Sequence, residues 1–170
     1  MSTILRPLRL SDAPGLLDVI NRNREYFRRY LSWLDNVQSL ANTQKFISEN
    51  IKLATAGRAY FCTIFDEQTP IGLIGFNHID RIHKTGEISY WLDAAYHGQG
   101  IVTCSCQEII GYGWRQLNLH RIVLLINTNN RASRAVAKRL GFHLESVQRR
   151  SLRMYDRYVD QLCYVLSQSD

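Results

Sequence analysis

Two glycines separated by one residue lie between a strand-like run and a helix-like run, in the segment 96–103. Residues 87–93 before them favour a strand, and a helical pattern begins near Ile101. Gly98 and Gly100 let the backbone come close to a ligand and turn several N–H groups toward it, and the following helix adds the positive end of its dipole. The junction therefore predicts a phosphate or pyrophosphate site, with the alternative that both glycines only form a β–α turn.

The residues of this loop exclude two common phosphate-binding motifs. A dinucleotide-binding fingerprint requires a third glycine at position 103, and a Walker loop requires Gly-Lys-Ser/Thr. Position 103 is Thr103, and the tripeptide Gly-Lys-Ser/Thr does not occur in the sequence. The loop therefore binds a phosphate-bearing ligand of another kind, or none.

The order of elements after the loop is more specific than the loop itself. A β-branched strand at 121–127 is followed by Asn130, by Ser133 at the start of a helix, and by Gly141-Phe142. This order resembles the GNAT superfamily of acetyl-CoA-dependent N-acetyltransferases. Residues 89–93 together with the glycine loop resemble the branch of the RimL/RimJ-type ribosomal-protein N-terminal acetyltransferases. The resemblance runs almost from end to end of the chain.

The hydrophobic periodicity predicts an α/β domain, and the resemblance implies the GNAT fold, in which helices flank a mixed and mostly antiparallel central sheet. With 170 residues and 45% hydrophobic content, we expect one domain spanning 1–170. Ser11 is expected to cap the first helix, whose apolar stripe continues to Leu31. The predicted elements are, in order, a strand at 4–10, the helix after Ser11, a helix at 40–56, hairpin strands at 59–65 and 71–79, a strand at 87–92, a helix at 101–117, a strand at 121–127, a helix at 131–140 and two strands within 144–166.

Charge and hydropathy limit the partners. Lys and Arg outnumber Asp and Glu by 21 to 15, and the arginines occur in pairs such as Arg28-Arg29 rather than in one basic run. This pattern suits a polyanionic cofactor such as coenzyme A, or an acidic protein, more than it suits a nucleic acid. The alternative is that the excess of positive charge only makes the surface basic and serves no partner. No apolar run approaches the roughly 20 residues of a membrane span, and the start lacks a signal-peptide pattern. We therefore expect a cytoplasmic protein without a membrane partner.

The four cysteines do not favour a metal site. Cys104 and Cys106 are two residues apart on a predicted helix and so point to different faces, and the sequence has no C-x-x-C and no histidine cluster. We expect no metal and reduced, structural thiols. A thiol-based ping-pong transfer through Cys104 is the weaker alternative.

Acetyl-CoA is the co-substrate that the resemblance implies. The backbone of Trp91, Leu92 and Asp93 would bond the pantetheine arm and the thioester, where the central strand separates from its neighbour. Asn130 would also contact the pantetheine arm, although an asparagine at this place is equally a good helix cap. The N–H groups that would hold the pyrophosphate belong to Gly98, Gln99, Gly100, Ile101, Val102 and Thr103.

Acetyl transfer to an amine needs a donor for the leaving thiolate and a base for the attacking amine. Many members of the family carry a tyrosine acid four residues after the position of Ser133, where this chain has Ala137. The resemblance therefore assigns the acid to Ser133, with a purely structural serine as the alternative.

The base is harder to place, because the RimL-like glutamate position falls on Leu152. We expect Glu87 on the central strand to replace it, acting through water, with His78 and His83 as weaker choices. At pH 7, neutralising an α-amine of pKa about 8 costs roughly 1.4 kcal/mol, whereas a lysine of pKa about 10.4 costs roughly 4.6 kcal/mol. A weak base therefore favours a peptide N-terminus over a lysine.

The acceptor is expected to bind over the first two helices and the following hairpin, at Tyr30, Trp33, Asn77 and His78. The favoured acceptor is the N-terminus of a protein, with a ribosomal protein in first place, attacked directly in a ternary complex. Polyamine or aminoglycoside acetylation is one alternative, and few carboxylates in 21–50 argue against the polyamine. A non-catalytic CoA-binding module is the other alternative, and the resemblance leaves a homodimer open.

Overall fold

The structure, a computed structural model, describes residues 3–168 and contains one seven-stranded sheet. The strands and helices are β1 (Thr3–Pro7), α1 (Ala13–Phe27), α2 (Leu40–Thr55), β2 (Tyr60–Asp66), β3 (Thr69–Asp80), β4 (Thr85–Leu92), α3 (Ile101–Arg115), β5 (Arg121–Asn127), α4 (Arg131–Arg139), β6 (His143–Met154) and β7 (Arg157–Ser167). The strand order is β1-β2-β3-β4-β5-β7-β6, and each neighbouring pair is antiparallel except β4 with β5. This mixed, mostly antiparallel sheet confirms the predicted fold class.

β4 and β5 are paired only near their beginnings. Their parallel register runs from Thr85 with Arg121 to Glu87 with Val123. Past Glu87 the two strands continue within the described chain without pairing, so they diverge toward the ends where α3 and α4 begin. Because the carboxyl ends of parallel strands meet at one edge of a sheet, the divergence opens a gap beside the starts of both helices.

Side chains alternate across β4, so its two faces belong to two separate cores. Ile88 and Leu92 pack in the core that contains α3 and α4, whereas Trp91 packs in the core that contains α1 and α2. Near the end of α1, the Phe27 ring lies 5.5 Å from the Trp91 ring, centroid to centroid. The gap therefore has the end of α1 on one side and the starts of α3 and α4 on the other.

β1 is shorter than the predicted strand 4–10 because the chain turns before residue 10. The buried carboxylate of Asp12 accepts hydrogen bonds from the Arg9 N–H at 3.0 Å and from Thr63 Oγ1 at 2.8 Å. These bonds accompany a short 3-10 turn at Leu10–Asp12. The turn also corrects the predicted cap, since Asp12 rather than Ser11 occupies the N-cap position of α1.

α1 and α3 end earlier than predicted. α1 ends at Phe27, and the N–H of Leu31, which was expected on the helical stripe, donates to Phe27 O across a turn at 2.8 Å. α3 ends at Arg115 rather than at residue 117, and Asn118 follows with a φ of 51°. The other predicted elements are present with similar bounds. None of the described helices is long and apolar enough to cross a bilayer.

Candidate active site

A cavity of about 610 Å³ lies where β4 and β5 diverge. α1, β4, the loop after β4, α3 and α4 all contribute to its lining. The predicted site residues that line it are Tyr30, Trp91, Leu92, Gly98, Gly100, Ile101, Val102, Thr103, Asn130 and Ser133. The cavity therefore joins the predicted phosphate loop and the predicted proton donor in one space.

The loop before α3 has the backbone geometry of an anion site. Gly98 and Gly100 have φ angles of 77° and 78°, and Gly100 is the N-cap residue of α3. The Cys104 N–H donates to Gly100 O at 3.0 Å, whereas the N–H groups of 101–103 precede the first intrahelical bond. A Cβ added to either glycine would meet no atom of the described protein within 4 Å. This open cradle of N–H groups at a helix N-terminus fits a pyrophosphate.

The backbone of Leu92 faces the gap, whereas that of Asp93 faces β3. The Asp93 N–H donates to Ile71 O on the β3 side at 2.8 Å. Because hydrogen-bonding directions alternate along an antiparallel strand, the Trp91 backbone also faces β3 and the Leu92 backbone faces away from it. The Leu92 carbonyl oxygen lies 3.1 Å from His97 Nε2, which must carry the hydrogen because a carbonyl only accepts. Among the three predicted backbone contacts to pantetheine, Leu92 is therefore the one that the geometry favours.

Asp93 has a structural role that the sequence did not reveal. Its buried carboxylate pairs with Arg22 at 2.6 Å and accepts hydrogen bonds from Asn23 Nδ2 at 3.0 Å and the Ala95 N–H at 3.1 Å. Burial raises the pKa of the Asp93 carboxyl, but the hydrogen bonds from these three residues outweigh it, and the pKa lies below its ordinary value. These contacts hold the segment that leads into the glycine loop against α1.

The start of α4 carries Asn130 and Ser133. Asn130 is the N-cap residue, and its Oδ1 accepts a hydrogen bond from the Ser133 N–H at 3.2 Å, which confirms the helix-cap interpretation. Both residues also line the cavity. Ala137, at the position of the missing tyrosine, is buried in the core. Ser133 is thus the one hydroxyl in the sequence of α4, and it lies at the cavity.

Two buried donors also belong to the cavity lining, and sequence reasoning missed one of them entirely. Tyr90 Oη and Trp91 Nε1 have no hydrogen-bond partner among the described residues. Burial raises the pKa of the Tyr90 phenol well above its ordinary value, and the neighbouring Ser133 hydroxyl offsets this only in part. The hydroxyls of Tyr90 and Ser133 are neighbours without making a hydrogen bond of full geometry.

Glu87 is not part of the cavity lining. It is the last residue of β4 paired with β5, and its half-buried carboxylate accepts a hydrogen bond from Asn77 Nδ2 at 3.2 Å. Asn77 and His78 are exposed on β3 at a register shift. His83 lies farther along the chain and contacts Asp80 at 2.8 Å. Glu87 is therefore at the closed end of the gap, where its action on an amine in the cavity requires a water relay.

Two other predicted residues do not line the cavity. Trp33 is 38% exposed and stacks on Phe46 with ring centroids 5.0 Å apart. Gln99 lies between the two glycines with an exposed side chain, so only its backbone N–H is suited to the predicted contact. Their roles stay predictions.

Several lining residues were not among the predicted site residues. Arg139 lies two helical turns after Ala132, and both line the cavity, so α4 brings a cation to it. Tyr26 and His97 also line it, with ring centroids 5.1 Å apart. Tyr26 lies four residues before Tyr30, so helical spacing could have placed both on one face. No spacing relates His97 to Tyr26, because their contact joins separate elements.

The fold and the site together define a class of enzyme. An anion-binding loop at a helix start, a strand gap that exposes backbone groups, and hydroxyl donors beside that gap suit acyl transfer from a CoA thioester to an acceptor in the same cavity. The chain belongs to the GNAT acetyltransferase family, since the model of the acetyltransferase (GNAT) domain matches residues 3–143.

Individual relatives agree with this assignment. The chain is 36% identical over 149 residues to the ribosomal-protein-serine acetyltransferase of Escherichia coli (strain K12), covering 88% of this chain and 83% of that protein. The solved structure of RimL, a ribosomal L7/L12 α-N-protein acetyltransferase in complex with coenzyme A, superposes with a TM-score of 0.94 at 31% identity, covering 98% of this chain and 94% of that one. The solved structure of the microcin C7 self-immunity acetyltransferase MccE, in complex with acetyl-CoA and AMP, superposes with a TM-score of 0.92 at 29% identity, covering 98% of this chain and 92% of that one. The protein is an acetyl-CoA-dependent N-acetyltransferase, which confirms the predicted family, enzyme class and co-substrate.

Proposed function

We propose that the enzyme acetylates the N-terminal α-amine of a protein, with a ribosomal protein as the first acceptor to test, by direct attack in a ternary complex. The observation that carries this proposal is that no Asp or Glu of the described residues lines the cavity. A site without a carboxylate suits an amine that loses its proton easily. The relative named a ribosomal-protein-serine acetyltransferase supports the same class of acceptor.

The free energy of amine deprotonation gives this preference a size. Neutralising an α-amine at pH 7 costs roughly 1.4 kcal/mol, and neutralising a lysine costs roughly 4.6 kcal/mol. The difference of about 3.2 kcal/mol corresponds to roughly a 200-fold lower rate for lysine when nothing compensates for it. Glu87 acting through water is a weak base, and it therefore suits the lower cost of deprotonating an α-amine better than the higher cost of deprotonating a lysine.

The residues at the cavity divide the work of acetyl transfer. Acetyl-CoA supplies the activated acetyl group when bound. The N–H groups of 98–103 and the guanidinium of Arg139 hold its phosphates, and the Leu92 backbone with Asn130 holds the pantetheine arm. Ser133 donates a hydrogen bond to the leaving sulfur. Glu87 receives the surplus proton of the amine by way of water.

We place the acceptor entrance between the end of α1 and the tip of the β6–β7 hairpin. Arg28, the residue after α1, reaches the hairpin tip, since its Nε donates a hydrogen bond to Tyr155 Oη at 3.4 Å and its guanidinium lies 5.2 Å from the centre of the Tyr155 ring. The Arg29 guanidinium lies 5.8 Å from the centre of the Tyr26 ring, which belongs to the cavity lining. Of the acceptor contacts predicted from the sequence, Tyr30 lines the cavity at this entrance, whereas those of Trp33, Asn77 and His78 stay predictions.

The proposal includes a cytoplasmic location, where such an acceptor is made. It also includes a single domain over 1–170, which the continuous seven-stranded sheet supports. A homodimer stays a prediction from the family resemblance, and size-exclusion chromatography with light scattering tests it.

A panel of acceptors tests the proposal. Acetyl-CoA consumption is measured with peptides that have free N-termini, with N-terminally blocked peptides that contain lysine, with spermidine and with an aminoglycoside, and Ser133→Ala is the matched low-activity control. We expect the free N-termini to react fastest. The likeness to MccE favours a small molecule as the second candidate, and faster reaction with spermidine or the aminoglycoside would establish it. No turnover with any amine would leave a CoA-binding module.

A further inference from the structure

Tyr90 carries a buried hydroxyl for which the resting fold has no partner. It lies on β4 beside the gap, it lines the cavity, and its Oη has no hydrogen-bond partner among residues 3–168. A buried hydroxyl without a partner costs free energy, whereas phenylalanine would fill the same space without that cost. The hydroxyl therefore calls for an acceptor with which it completes a hydrogen bond during the reaction.

The groups around Tyr90 narrow its role. Ser133 on α4 is the neighbouring hydroxyl, and the Cys106 thiol, the Arg139 guanidinium and the Tyr26 phenol are the other titratable groups that influence it. No carboxylate of the described chain lines this cavity. Burial raises the pKa of the Tyr90 phenol, so the group is protonated at neutral pH and acts as a donor rather than as a base.

We infer that Tyr90 is a positioning residue for the leaving group: it donates a hydrogen bond to Ser133 Oγ and so directs the Ser133 hydroxyl toward the sulfur of the departing CoA. The tyrosine that α4 lacks at Ala137 is in this way supplied from β4. The inference rests on acetyl transfer and is independent of which amine accepts the group.

The transfer balances without a further reactant. The bond between the amine nitrogen and the carbonyl carbon forms, the carbon–sulfur bond breaks with its electron pair on sulfur, and the surplus proton of the amine leaves to water. The Ser133 hydroxyl stabilises the charge on sulfur, and its oxygen accepts the hydrogen bond of Tyr90. Two hydroxyls in series stabilise that charge more than one, because hydrogen bonds in a chain polarise each other.

Replacing Tyr90 with phenylalanine tests the inference. We expect Tyr90→Phe to lower kcat about tenfold, the rate equivalent of one hydrogen bond, with the KM for acetyl-CoA within about twofold of wild type. The thermal midpoint of the free protein should stay the same or rise, since an unpartnered hydroxyl is removed. Tyr60→Phe is the control, because Tyr60 lines a separate cavity with Cys62 and Tyr112, and it should keep the wild-type rate. An unchanged rate in Tyr90→Phe, or a lower rate together with a lower midpoint, overturns the inference.

Two further measurements isolate the contact with Ser133. The double variant Tyr90→Phe/Ser133→Ala should be as slow as Ser133→Ala alone, within about twofold, and multiplied losses would contradict positioning. In the absence of any amine, ultraviolet titration of bound CoA should show the apparent pKa of its thiol about one unit higher in Tyr90→Phe than in wild type. Equal values would overturn the inference. Because this titration needs no acceptor, a failure of the proposed protein acceptor leaves its result intact.

Discussion

Replacing Gly100 with alanine should have two effects, a loss of stability from backbone strain and a loss of acetyl-CoA binding. Gly100 has a φ of 78° and a ψ of 0°, a region that costs an alanine roughly 1–2 kcal/mol. Nothing in the described protein lies within 4 Å of the added Cβ, so strain is the main cost to folding. For a domain of this size, that cost lowers the thermal midpoint by roughly 2–8 °C. Gly100 lines the cavity and belongs to the loop assigned to the pyrophosphate, so we expect the added Cβ to crowd that ligand and to raise the dissociation constant for acetyl-CoA at least about tenfold, or about 1.4 kcal/mol.

Gly141→Ala is the matched control for this experiment. Gly141 has a φ of 81° and nothing within 4 Å of an added Cβ, and it does not line the cavity. The two variants should therefore lose similar stability by thermal unfolding, while calorimetry well below both midpoints should show weaker acetyl-CoA binding for Gly100→Ala alone. Wild-type affinity in folded Gly100→Ala, or an equal loss in Gly141→Ala, would refute the assignment of the loop.

Two other predictions concern the proton donor and the anchor of the loop. Ser133→Ala should lower kcat by roughly 10²-fold with little change in acetyl-CoA affinity, and equal rates would return Ser133 to a structural role. Asp93→Asn should lower the free energy of unfolding by roughly 1–3 kcal/mol at pH 7, because it weakens the contacts of this residue to Arg22 and Asn23. Chemical unfolding measures this loss. The pKa of Asp93 is lower in the folded protein than in the unfolded chain, where it is about 3.9. The stabilisation that ionised Asp93 gives to the fold is therefore fully present above the unfolded pKa, and it is lost as the pH falls through the lower folded pKa. The difference in the free energy of unfolding between wild type and Asp93→Asn should thus become smaller toward pH 2, and a difference that does not change with pH would contradict this interpretation.

Local patterns in the sequence were enough to predict much of the cavity. Gly98, Gly100 and Ser133 lie at helix starts that follow strands, and such junctions have signatures of a few residues. The alternation of β4 also shows that neighbouring residues face opposite sides of the sheet. It does not show which side holds a cavity, and Tyr90 was missed for this reason.

Contacts between distant segments were beyond the sequence patterns. The partners of Asp93, Arg22 and Asn23, are 71 and 70 residues away in the chain, so no local spacing connects them. The same holds for the bond from Thr63 to Asp12, which shortens the first predicted strand. The placement of Glu87 outside the cavity depends on where the pairing of β4 with β5 stops, and a sequence pattern shows the strands without their register.

A competition between two amines on one peptide tests the central claim most directly. The peptide has a free N-terminus and one internal lysine, and fragment mass spectrometry locates the acetyl group after partial reaction. We predict acetylation at the first residue, with a rate that rises with pH and levels off near the pKa of the free α-amine, about 8. Acetyl found mainly on the lysine, or a rate still rising well above that pH, would contradict the account.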